Sequence, residues 1–113
     1  MITVNRLPLK SIEKVTKAVR SIGLGVMGFA DMFYNLGIRY NSEEAYDFAD
    51  KLFEAIKEEA INTSMQLAEE KGVYDAWERS IWHQKGIRVR NSNFLSIAPT
   101  GSISFLAGVS GGI

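Results

Sequence analysis

The sequence predicts an α/β fold, predominantly helical with a few short strands. Apolar residues recur every three or four positions over several stretches, the longest close to 30 residues, which is the pattern of amphipathic helices. Two short apolar runs bordered by glycine or proline, Ile22–Gly28 and Phe94–Ala98, read instead as buried strands. With 46% apolar and 11% aromatic residues among 113, the composition is that of a folded chain and fits one small domain over residues 1–113.

Met1–Pro8 reads as an extended lead-in, because the residue before a proline is biased away from helix. Leu9, Ile12, Val15, Val19 and Ile22 then follow at spacings of three and four, with Lys10, Glu13, Lys14 and Lys17 turned to water; this helix ends near Arg20 or Ser21. In Ile22–Phe29 the apolar residues adjoin Gly23, Gly25 and Gly28, a glycine density that spoils a helix but suits a strand closely approached by other backbone. Phe29, Met32, Phe33 and Leu36 share one face of a short helix closed by Gly37. Asn41 or Ser42 opens the longest helix, Glu43 and Glu44 favour its positive end, and Gly72 closes it. At about 45 Å it exceeds what a small domain covers, so its apolar stripe is expected to pack on something outside this chain. Tyr74–Arg90 is the least regular stretch. Its Trp77 and Trp82 either anchor a loop on the core or offer a contact surface to a partner. Phe94–Ala98 is a strand, Pro99–Gly101 a turn, Ser102–Ala107 a helix start, and Gly108–Ile113 a glycine-rich tail.

Several functions are excluded by composition. Thirteen basic and thirteen acidic side chains cancel, leaving no basic stripe for nucleic acid. No cysteine is present, so thiol nucleophiles, disulfides and zinc fingers are absent from this chain. One histidine, His83, builds no metal cluster by itself; it reads as a surface loop residue or as an isolated catalytic group. No run approaches a membrane span and no signal-peptide core opens the sequence, which points to a cytoplasmic protein.

Two glycine motifs remain. Gly23-Leu24-Gly25-Val26-Met27-Gly28 matches a dinucleotide fingerprint in letters, but that reading needs a preceding strand and an acidic residue ending a second one. Here a helix precedes, and Glu43 and Glu44 open another. Ala98-Pro99-Thr100-Gly101-Ser102-Ile103-Ser104 is better placed for an anion. Pro99 sets one backbone angle, Gly101 admits close approach, the hydroxyls are donors, and first-turn amides have no partners of their own. Thr100 or Ser102 acting only as a helix cap accounts for the same residues.

Arg20–Met32 and Asn91 with Ile97–Ser104, in this order, resemble the catalytic subunit of ribonucleotide reductase, most closely its adenosylcobalamin-dependent class II form. Leu36-Gly37-Ile38, Ser42-Glu43-Glu44-Ala45, Leu67–Gly72 and Val4–Leu9 fit as well, so the likeness runs from about Val4 to Gly108. It implies a fragment of a ten-stranded α/β barrel, with Ile22–Gly28 and Phe94–Ala98 as strands and Ser42–Lys71 as an outer helix. It also implies that Ala98, Pro99, Thr100, Gly101, Ser102 and Ile103 grip the phosphates of a ribonucleoside di- or triphosphate. The intact enzyme would use adenosylcobalamin; none is expected to bind this chain alone. The family's radical-bearing cysteine, reducing cysteine pair, and proton-handling asparagine and glutamate would lie on segments this chain lacks. The family tail, which reads like C-S-S-G-I-E-P, is Val109-Ser110-Gly111-Gly112-Ile113 here. No catalytic or metal-binding residue is therefore assigned, and the chain alone is expected to be inactive. Its expected partners are the remaining reductase polypeptide or a second copy of itself, with neither nucleic acid nor membrane. The rival readings are a non-enzymatic oligomerisation module and a nucleotide-binding regulatory protein.

Overall fold

Helices carry most of the regular structure in the computed structural model, which describes residues 2–113: α1 (Lys10–Val19), α2 (Phe29–Leu36), α3 (Glu43–Lys71), α4 (Ile81–Gln84) and α5 (Gly101–Ala107), with a 3₁₀ turn at Trp77–Arg79. Of the lead-in expected over Met1–Pro8, Met1 lies outside the described residues and Ile2–Val4 form a turn. Local chemistry fixes most helix ends. The Ser42 hydroxyl accepts the Ala45 N–H at 3.2 Å, and Glu43 and Glu44 occupy the first turn of α3. Left-handed Gly28 and Gly37 bracket α2. Arg20 closes α1 in the left-handed region without being glycine, its N–H donating to Thr16 O at 2.9 Å.

The chain divides into two compact units, Met1–Ile22 with Glu59–Phe94, and Gly23–Glu58 with Leu95–Ile113. In the first, Ala68, Tyr74, Val89 and Phe94 are buried around a polar hub. Buried Ser64 accepts the N–H groups of Arg90 and Asn91 at 3.0 and 3.1 Å, and its hydroxyl donates to Asn91 Oδ1 at 3.1 Å. Asn91 Nδ2 donates to Arg20 O at 2.9 Å, so the hub fixes the chain just beyond α1. Arg90 Nη1 donates to the carbonyls of Lys71, Gly72 and Val73, placing a cation at the negative end of α3. Burial, and then the nearby Arg90, push the Arg20 guanidinium below its usual range, with Asp75 opposing.

Both tryptophans act as anchors. Trp77 Nε1 donates to Ile87 O at 2.9 Å and Trp82 Nε1 to Ser92 O at 3.0 Å, while the Trp82 ring meets Phe94 edge-on at 5.2 Å. His83 is exposed as expected, but it sits in α4 and not in a loop, because the Ser80 hydroxyl accepts its N–H and starts a helical turn.

The second unit is built on Phe29, Phe33 and Ala45, packed by Val26, Met32, Ile38, Phe48 and Phe53. Its aromatic rings meet mainly edge-to-face: Phe29–Phe33 at 4.7 Å, Phe33–Phe48 at 5.7 Å and Phe33–Tyr40 at 5.8 Å. The apolar spacing of α2 and of the first half of α3 exists to make this cluster.

The strands expected at Ile22–Gly28 and Phe94–Ala98 are the main correction. Among the described residues they reduce to one parallel bridge, Leu24 with Leu95, beside the Ser96 N–H donating to Leu24 O at 3.0 Å. Each extended run is cut short. Gly28 turns left-handed into α2, while Pro99 offers no N–H and Thr100 turns left-handed into α5. A parallel ladder of slanted bonds needs longer runs than these to propagate. The fold is thus predominantly helical, as predicted, with a bridge where strands were expected.

Candidate functional site: the turn before α5

The turn 98–103 takes its shape from Thr100, which has φ 54° and ψ 23°. A β-branched residue in the left-handed region costs about 1–2 kcal/mol, so something must hold it there. The tail does. Gly112 N–H donates to Thr100 Oγ1 at 2.7 Å, and Gly111 lies so near Pro99 O that a Cβ would stand 2.9 Å from it. From below, the Ser104 N–H donates to Thr100 O at 2.8 Å and the buried Ser104 hydroxyl to Gly101 O at 3.1 Å. α5 therefore begins at Gly101, one residue before the expected Ser102.

Thr100 makes no side-chain cap on α5; its hydroxyl faces the tail instead. The plain capping explanation of Thr100 is thereby set aside. The amides of Gly101, Ser102 and Ile103 find no protein acceptor among the described residues, and all three residues are exposed. A left-handed residue followed by helical ones directs successive N–H groups into one concavity, a nest suited to an anion. Ala98 and Pro99, both exposed, lead into the turn, and exposed Ser102 carries a hydroxyl, a further donor by its chemistry. All six residues singled out in the sequence, Ala98 to Ile103, fall on this one turn. No lysine or arginine belongs to it, so any anion would be held by backbone amides and hydroxyls.

Four residues of this arrangement escaped sequence reading: Asp31, Ser110, Gly111 and Gly112. Asp31 Oδ2 accepts the Ser110 N–H at 2.6 Å, and Gly28 N–H donates to Ser110 O at 2.7 Å. The only signal for them was the unusual Gly111-Gly112 pair, whose purpose is visible once Pro99 and Thr100 lie against it.

The dinucleotide fingerprint does not assemble. Gly23 and Gly25 are packed on Ser96, where a Cβ would come within 2.6 and 2.4 Å of it. The start of α2, where a pyrophosphate would rest, is closed by Ser110 and carries the Asp31 carboxylate. An apolar groove of about 480 Å³ between Leu24, Phe53, Ile56 and Leu95 offers no group for acid–base chemistry. No cluster of metal-ligating side chains occurs among the described residues.

Comparison with known proteins gives the family of the chain. Residues 1–89 match the family described as "Ribonucleotide reductase, barrel domain". The whole chain is 50% identical to 15% of the vitamin B12-dependent ribonucleoside-diphosphate reductase of Thermoplasma acidophilum. It is 43% identical to 16% of the protein of the same name from Mycobacterium tuberculosis. The class Id ribonucleotide reductase alpha subunit of Actinobacillus ureae superposes on 98% of the chain with a TM-score of 0.83 at 29% identity, over 21% of its own length. The chain thus spans about one sixth of the length of the curated reductases it matches. On its sequence match and its fold together, the chain belongs to the ribonucleotide reductase barrel-domain family.

Proposed function

We propose that this chain is one segment of a ribonucleotide reductase catalytic barrel and supplies the seat for the substrate's phosphates. In this reading residues 1–113 form one partial domain of a ten-stranded α/β barrel in a cytoplasmic enzyme. The Leu24–Leu95 bridge is where two of the barrel strands start to pair. The remaining reductase polypeptide is the partner, and the substrate is a ribonucleoside di- or triphosphate. The relatives are ribonucleoside-diphosphate reductases, which favours the diphosphate. The observation that carries the reading is the set of amides at Gly101, Ser102 and Ile103, which find no acceptor among the described residues, behind a left-handed Thr100. Amides fixed before the ligand arrives stabilise negative charge without reorganising, which is electrostatic positioning of the substrate.

The B12-dependent relatives imply adenosylcobalamin for the intact enzyme, where it would supply radical chemistry. The residues present do not fit that group. There is no thiol to carry a radical, and the one histidine is exposed on α4 with its ring edge against Trp77. No step of this chain's function runs through the cofactor.

The reading is tested by titrating the isotopically labelled chain with a nucleoside diphosphate. Amide resonances of Gly101, Ser102 and Ile103 are expected to shift together and saturably; shifts scattered over other surfaces would refute it.

A second reading, a self-associating module without enzyme activity, draws on uncovered apolar side chains: Leu9 just before α1, Ile12 and Val15 on α1, and Phe105 and Leu106 on α5, the last two 86% and 83% exposed. It predicts a dimer or larger assembly in sedimentation. A compact monomer at high concentration removes it.

A further inference from the structure

We propose that Asp31 is a positioning residue for the phosphate turn, acting through the C-terminal tail that it holds. The inference rests on the phosphate reading of residues 98–103 and adds to it a residue on another element. Asp31 and Ser110 are 79 positions apart, yet the carboxylate accepts the Ser110 N–H at 2.6 Å, while Ser110 O accepts from Gly28 N–H at 2.7 Å. Both backbone polar groups of Ser110 are thus held by the start of α2. Two residues further on, Gly112 N–H meets Thr100 Oγ1 at 2.7 Å, and Gly111 fills the space against Pro99 O. The tail is a strap fastened at Asp31 and pressing on Thr100.

The strap matters because Thr100 sits where a β-branched residue does not stay unaided. Freed from Gly112, Thr100 relaxes toward extended backbone, and the amides of Gly101, Ser102 and Ile103 no longer share one point. A hydrogen bond to an ionised acceptor is about twice as strong as a neutral one, so a carboxylate is suited to fasten a glycine-rich tail. Asp31 also lies in the first turn of α2, where a negative charge favours the helix by itself. The two roles separate experimentally, because asparagine keeps an acceptor oxygen and gives up the charge.

The experiment compares the whole chain with Asp31→Ala and Asp31→Asn, using inorganic pyrophosphate as the probe. Amide exchange at Gly112 is followed without ligand, and pyrophosphate affinity is read from the Gly101–Ile103 amides. Asp31→Ala is expected to speed Gly112 exchange about tenfold and to weaken pyrophosphate binding by a similar factor, the effect of losing one charge-assisted hydrogen bond. Asp31→Asn is expected to restore most of both. Asp31 is exposed, so neither variant leaves a cavity. Equal damage from both substitutions overturns the inference in favour of a charge effect on α2. Pyrophosphate binding that Asp31→Ala leaves intact overturns the role of Asp31 alone, whereas a wild type that binds no pyrophosphate overturns the phosphate reading itself.

Discussion

Replacing Gly25 with alanine is expected to destabilise the second unit by about 3 kcal/mol, the upper end of what overpacking costs. The added Cβ would stand 2.4 Å from Ser96 O, a backbone atom with no rotamer by which to withdraw. Ser96 cannot retreat freely either, since its N–H is bonded to Leu24 O at 3.0 Å. Such a loss is a large part of the total stability of a small domain and lowers Tm by about 12 °C. Gly37→Ala is the matched control. It has φ +70° but open space around it, so it bears only the backbone cost of about 1 kcal/mol. Thermal unfolding followed by circular dichroism checks the pair. Equal melting of the two variants would mean that the close approach of Gly25 to Ser96 does not exist.

The second large effect concerns binding. Gly101→Asp is expected to weaken nucleoside diphosphate binding about thirtyfold or more. At roughly 4 Å in water each unit charge on the phosphate repels the new carboxylate by about 1 kcal/mol, and a terminal phosphate carries nearly two. Folding is not at stake. No atom lies within 4 Å of a Cβ at Gly101, its φ is not left-handed, and an acidic residue in the first turn of α5 is favourable to the helix. Gly101→Ala is therefore expected to bind nearly as the wild type does. Calorimetry on the three proteins separates the outcomes, and an aspartate variant with undiminished affinity would show that no phosphate rests on this turn.

Much of the architecture is legible in local chemistry. The bounds of α2 follow from Gly28 and Gly37, those of α3 from Ser42, Glu43, Glu44 and Gly72, and the apolar spacing of both anticipates the Phe29–Phe33 cluster. The turn itself is equally readable, because Pro99, Thr100, Gly101 and Ser102 carry their meaning within four consecutive residues. The strands are less so. Apolar runs at Ile22–Gly28 and Phe94–Ala98 identify extended backbone, but the left-handed turns at Gly28 and Thr100 decide how far a ladder can run.

By itself, then, the sequence determined α1, α2, α3, the family and the turn that leads into α5, since each depends on residues close together in the chain. Only the tertiary structure decided that Thr100 is held left-handed, that Gly23 and Gly25 serve Ser96 and not a dinucleotide, and that Asp31 fastens the tail. Those features are made by pairs of residues far apart in sequence, and their geometry exists only after folding has closed the intervening chain.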